Sequence, residues 1–175
     1  MNELSEVLKG ATSNIVQGYF RLQIDGGDPI YRERVYCYEL YHQMRQRWPA
    51  TTPYYLNGEI DKAAHPILRD LGADTKKPDL LVHQPGYMAG NYAVIEVKSS
   101  DAGAAGIRKD LASLSLFRTT VGYQRAMYLI YGEHADRVLE QIVTISGMLQ
   151  NIPPIEIWLH GRAEQPATHA MTLQI

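Results

Sequence analysis

Three residues stand against the hydropathy of the segments that carry them. Asp79 opens the apolar run Leu80-Leu81-Val82, and Glu96 lies inside Tyr92-Ala93-Val94-Ile95-Glu96-Val97, two positions before Lys98. Side chains alternate along a strand, so Glu96 and Lys98 share one face while Ile95 and Val97 share the other. A carboxylate in a buried strand costs several kcal/mol unless a cation or hydrogen bonds meet its charge. A hard divalent cation such as Mg2+, with Mn2+ as a substitute, takes one or two carboxylates and completes its shell with water and phosphate oxygens. Neighbouring strands lie about 5 Å apart, so Asp79 and Glu96 could converge on one ion, with the backbone carbonyl of Val97 as a third oxygen. Lys98 would then face the same site, where an ammonium stabilises phosphoryl charge or orients and helps deprotonate an attacking water. An ordinary ion-pair cluster at a sheet end is the competing reading.

The elements that must position these groups follow from periodicity and turn chemistry. Leu4, Val7, Leu8, Ala11, Ile15 and Tyr19 recur at helical spacing and predict an N-terminal helix over 2–19. Asp25-Gly26-Gly27-Asp28-Pro29 is a turn cluster, with Asp28-Pro29 opening a helix from 30 to about 47 that Trp48-Pro49 ends. Residues 54–60 predict a strand, although Asn57-Gly58 could instead turn a hairpin. Strands over 80–82 and 92–97 form an antiparallel hairpin across Pro85-Gly86 and Gly90-Asn91. A helix over 103–122 presents Ile107, Leu111, Leu114 and Phe117; a strand over 126–131, a helix over 134–149 and strands over 155–159 and 169–175 follow. This order predicts one α/β domain around a mixed sheet flanked by helices.

Composition narrows the function classes. With 17 Lys+Arg against 19 Asp+Glu the formal charge is −2, which argues against indiscriminate electrostatic adhesion to nucleic acid and leaves a confined patch or a recruiting protein as the route. Cations bound at the acidic set would offset part of that charge locally. At 45% hydrophobic residues the chain can bury a sizeable core. The lone cysteine, Cys37, has no internal disulfide partner and Met1-Asn2-Glu3-Leu4-Ser5-Glu6 lacks the positive start of a secretory signal, so a cytoplasmic protein with no membrane span is expected. Gly103-Ala104-Ala105-Gly106 has no following Lys-Ser/Thr, which disfavours a P-loop. The six histidines lack paired zinc spacing, and His83 is expected to be a hydrogen-bonding residue at a strand end. Arg32, Arg34, Arg45, Arg47, Arg108, Lys109, Arg118 and Arg125 are candidate phosphate contacts. Tyr36, Tyr38, Tyr41, Tyr54 and Tyr55 are expected to pack with the core rather than stack on bases.

Pro78-Asp79, then residues 80–95, then Glu96-Val97-Lys98 closing an apolar strand resembles the motif of the PD-(D/E)XK superfamily of metal-dependent nucleases. The resemblance covers about residues 30–132. It is closest to a small bacterial subgroup carrying Asn57-Gly58-Glu59-Ile60-Asp61-Lys62, His83 and Asn91 in corresponding places. It implies a restriction-endonuclease-like α/β core of order αβββαβ within a single domain over 1–175, the part after about 133 being an extension. It also implies Mg2+-dependent hydrolysis of phosphodiester bonds, DNA being the expected substrate. Asp79, Glu96 and the Val97 carbonyl would be metal ligands and Lys98 the catalytic lysine. Members commonly carry a helix glutamate aimed at the metal, a place matched here by Glu39 as a catalytic residue and further ligand. Glu59 and Lys62 would sit at the rim, and cutting two strands with one site per chain would favour a homodimer. The alternative is a non-catalytic nucleic-acid or protein binding module that retains the fold.

Overall fold

The computed structural model describes residues 3–59 and 66–173. Its centre is a six-stranded sheet in the order β3-β4-β5-β6-β7-β8, formed by Tyr55–Gly58, Leu80–His83, Asn91–Ser99, Arg125–Tyr131, Ile155–His160 and Thr168–Leu173. β3, β4 and β5 are antiparallel neighbours, β5, β6 and β7 run parallel, and β8 returns antiparallel. Parallel neighbours need a crossover, supplied by α5 (Ala104–Thr119) between β5 and β6 and by α6 (Ala135–Ser146) between β6 and β7. The expected mixed α/β sheet flanked by helices is therefore observed, and β7 and β8 prolong that same sheet. β5 is buried on both faces, which is why it reads as a nearly continuous apolar run. Ala93, Ile95 and Val97 join a core with α1 (Leu4–Thr12) and α3 (Glu33–Gln46). Val94 joins the opposite core with Ile107, Leu111 and Leu114 of α5.

Several boundaries differ from the periodicity. The helix expected over 2–19 breaks into α1 and α2 (Gln17–Phe20). Thr12, Ser13 and Asn14 turn their side chains back onto the carbonyls of Leu8, Lys9 and Gly10, the local competition that makes such residues poor helix interiors. Tyr19 consequently points outward, 47% exposed. The turn cluster forms a hairpin of β1 (Leu22–Ile24) and β2 (Gly27–Ile30), so Asp28-Pro29 belongs to a strand and α3 starts only at Glu33. Asn57-Gly58 is strand, paired with Leu81 and Leu80, rather than a turn. A short helix, α4 (Pro66–Asp70), precedes β4. Ile60, Asp61, Lys62 and His65 lie outside the described residues. None of the described helices is long and apolar enough to cross a membrane.

Gly132, just after β6, has φ +121, and a Cβ there would collide with the Ser100 hydroxyl. Main-chain bonds from Ser100 N to Tyr131 O (2.8 Å) and from Gly132 N to His160 O (3.0 Å) lock the ends of β5, β6 and β7 together beside this glycine. Gly132→Ala is expected to cost roughly 2 kcal/mol or more, combining a disfavoured backbone conformation with a clash. Urea unfolding of the two proteins checks this.

Candidate active site

The site grows out of a defect in the β4–β5 ladder. Leu80 pairs with Ile95, Leu81 with Val94 and Val82 with Ala93, so the same register carried two residues back sets Pro78 opposite Val97. Proline has no N–H and cannot serve the Val97 carbonyl. The Val97 N–H instead donates to Asp79 Oδ2 at 2.7 Å. Amide and carbonyl of one strand residue point to the same edge, so the Val97 carbonyl oxygen lies on the edge that Asp79 occupies. The proline of the motif thus leaves a main-chain oxygen beside the aspartate.

Glu96, 7% exposed, accepts from Ser113 Oγ of α5 at 2.8 Å and is hydrogen-bonded to Asp79. Burial pushes the Asp79 carboxyl up to about 6, against the Val97 amide and Lys98, which pull it down. Burial, then the neighbouring Asp79 and Asp110, push Glu96 well above the ordinary carboxylate range. Two acids in this position resist ionising together, because their charges repel in a poorly solvated place. Lys98 Nζ lies 3.0 Å from Glu33 Oε2 and 3.1 Å from Asp110 Oδ2. Despite burial, Asp110 and Glu33 raise its pKa above the ordinary lysine value. The ammonium therefore stays charged at neutral pH, which favours charge stabilisation and water orientation over proton abstraction.

The sequence-predicted trio Asp79, Glu96 and Lys98 is brought together; Glu39 is not. Its carboxylate accepts from Gln43 Nε2 at 2.6 Å, and Gln43 accepts in turn from Arg47. The acid that α3 delivers is Glu33, which holds Lys98 and accepts from Ser99 N at 3.3 Å. At ~100° per residue, Glu39 lies about 240° around the helix from Glu33, so the two carboxylates leave α3 on different faces. Asp110 and Ser113 were also missed by the motif. Their signal is a pair of polar residues on the stripe of Ile107, Leu111, Leu114 and Phe117, all buried together. Tyr128 on β6, whose partner in register is Glu96, donates to Asp110 Oδ2 at 3.0 Å.

The cluster opens into a cleft of about 330 Å³ that also presents Lys76, Lys77 and Lys109. A second cleft of about 480 Å³ shares Glu33, Glu59 and Asp79 with it and runs along α3 past Arg34, Cys37, Tyr38 and Tyr41. Glu59 accordingly lies at the rim, paired with Arg34 at 3.6 Å. Burial and the surrounding acids push the Cys37 thiol up, which keeps it neutral and a poor nucleophile. His83 bonds Asn57 Oδ1 at 2.9 Å, as a strand-end histidine. Arg125 is bound to Glu156 and Arg118 to the Tyr123 carbonyl, leaving Arg34 and Lys109 as the expected basic residues that line these clefts.

Among the described residues no group of three or more His, Cys, Asp or Glu side chains forms a metal-ligand set. Two carboxylates with one carbonyl do suit Mg2+, which leaves the rest of its shell to water and substrate. Each carboxylate keeps one oxygen beyond those bound to the Val97 amide and Ser113. Comparisons with protein-family models, curated proteins and solved structures found no match.

Proposed function

We propose that this protein is a metal-dependent phosphodiester hydrolase acting on nucleic acid, DNA first, in the manner of the PD-(D/E)XK nucleases. The observation that carries this reading is the buried pair Asp79 and Glu96, held by the Val97 amide and Ser113, with Lys98 fixed beside them between Glu33 and Asp110 in a cleft with three more lysines. Apart from the short helix α4 between β3 and β4, the succession α3-β3-β4-β5-α5-β6 is compatible with the αβββαβ order expected of a restriction-endonuclease-like core.

A bound Mg2+ or Mn2+ would supply Lewis acidity and a more acidic water. Asp79, Glu96 and the Val97 carbonyl would hold it, the acids giving up any bound proton as they do so. Glu33 and Asp110 fix the Lys98 ammonium from two sides, so it meets developing phosphoryl charge without first reorganising, the arrangement that makes electrostatic stabilisation effective. Lys76, Lys77 and Lys109 line the approach for a phosphate backbone. Cutting both strands of a duplex would take two copies of the site, and a recruiting protein would supply selectivity that near-neutral charge does not.

Single-stranded, duplex and branched DNA incubated with Mg2+ or Mn2+ test the reading. Cleavage is expected, lost with chelator and reduced at least about a hundredfold in Asp79→Asn, the scale at which a group supporting transition-state charge is removed. No cleavage of any of these substrates, together with no metal binding by calorimetry, would overturn it.

A further inference from the structure

The second cleft is created by a missing side chain. Leu56 of β3 is buried in the core beneath α3, and Gly58, two residues on, faces the same side. A Cβ at Gly58 would meet nothing nearer than the Asp79 carbonyl at 3.8 Å, so the space that a side chain there would enter is the cleft itself. Its volume, about 480 Å³, falls in the range of pockets that take small organic molecules, ~300–1,000 Å³. Arg34, Tyr38 and Tyr41 fall at i, i+4 and i+7 of α3 and so stand on one stripe. Tyr41 is tied to the wall through its hydroxyl, which donates to the Leu56 carbonyl at 3.4 Å. Tyr38 is 66% exposed, against the expectation that it packs in the core.

The chemistry of this lining is that of a planar, polar-edged aromatic guest. Cys37 and Leu80 give apolar contact; Tyr38 offers a ring face to stack on. Arg34 and Glu59 place a donor and an acceptor at the rim, joined by an ion pair with both side chains more than half exposed, a pairing easily exchanged for ligand contacts. Asp79 belongs to both clefts, so a guest here sits next to the phosphate at the metal site. We propose that this cleft takes an unpaired nucleobase adjoining the scissile phosphate, stacked on Tyr38. A base inside a duplex cannot reach it, so the substrate is single-stranded or locally opened at that nucleotide. This rests on the nuclease reading and narrows its substrate.

Binding and cleavage measurements separate the two ideas. Fluorescent single-stranded oligonucleotides, one intact and others with an abasic site scanned along them, are titrated in Ca2+ by anisotropy and then cleaved in Mg2+. One abasic position is expected to weaken binding about ten- to a hundredfold, the range for one stacked base. Tyr38→Ala, and Gly58→Leu which fills the cleft, should weaken the intact oligonucleotide by the same factor and the abasic one hardly further. A duplex of the same sequence should bind at least about tenfold more weakly than the single strand. Base and side-chain losses that simply multiply, or no loss at all, would overturn the subsite even if cleavage is robust. Tyr38-dependent discrimination with neither cleavage nor metal binding would keep a base-binding cleft and overturn the nuclease reading.

Discussion

Lys98→Met is expected to abolish metal-dependent cleavage, by about a thousandfold, while Mn2+ still binds. The ammonium lies between Glu33 and Asp110 at 3.0 and 3.1 Å, and a cation fixed in this way is worth on the order of 3–4 kcal/mol of transition-state stabilisation where charge develops. Asp79, Glu96 and the Val97 carbonyl are untouched by the change, so metal affinity measured by calorimetry should fall less than about threefold. Stability will also suffer, since Asp110, with 8% of its side chain exposed, loses its cation and a partly buried charge left unpaired is costly. The double variant Lys98→Met with Asp110→Asn separates the effects. Neutralising Asp110 should recover part of the lost melting temperature and none of the activity. Recovery of activity together with stability would show that Lys98 matters only as a structural counter-ion. The raised pKa of Lys98 makes its own contribution to stability complete below the unfolded value of about 10.4. That contribution fades only as pH rises further toward the folded value, so it adds no pH dependence near neutrality.

Which parts of this arrangement could be read from sequence follows from the range of each signal. Asp79, Glu96 and Lys98 were legible because strand burial is written into their neighbours: Leu80, Leu81 and Val82 after Asp79, and Val94, Ile95 and Val97 around Glu96 and Lys98, leave a charge conspicuous. Alternation then sets Glu96 and Lys98 on one face with no knowledge of the third dimension. Asp110 and Ser113 carried a weaker signal, because a helix of modest amphipathicity tolerates scattered polar residues, and only their place on the Ile107-Leu111-Leu114 stripe marks them. Glu33 carried none. Choosing it over Glu39 requires the start of α3, which depends on Gly27–Ile30 forming a strand instead of the first turn of a helix. The cleft beside Gly58 was illegible for a related reason: Asn-Gly favours a two-residue hairpin turn, and pairing with Leu81 and Leu80 in β4 overrode that preference. Local chemistry thus identifies which residues are strained by their surroundings, while the partners that relieve the strain come from other elements.

In the absence of metal that strain should appear as a dependence of stability on pH. Asp79 is carried from an ordinary 3.8 to about 6 by burial, and Glu96 is raised as well. A raised acid costs nothing below its unfolded pKa, where both states are protonated. For Asp79, between about 4 and 6 the unfolded chain ionises while the folded chain does not, so stability falls as pH rises and its share of the loss levels off above about 6; Glu96 adds a loss of the same sign until its own raised pKa is passed. For Asp79 alone the difference between 3.8 and 6 corresponds to at most about 3 kcal/mol, or at most roughly 6–12 °C in melting temperature for a chain of this size. A divalent cation bound to the ionised pair reverses that loss. Mg2+ or Mn2+ is therefore expected to raise the melting temperature by several degrees at pH 8 and not at pH 4.5. Apparent affinity should strengthen about tenfold per pH unit below 6 for each proton displaced. Asp79→Asn should do without metal what the ion does with it. The amide oxygen can still accept the Val97 N–H, the carboxylate nearest Glu96 is neutralised, and the metal-free protein should melt higher than wild type at pH 8 while losing its response to Mg2+. Equal metal-induced shifts at both pH values, or a variant that melts lower at pH 8, would mean that Asp79 and Glu96 are an ordinary part of an ion-pair network, with no frustrated pair waiting for a cation.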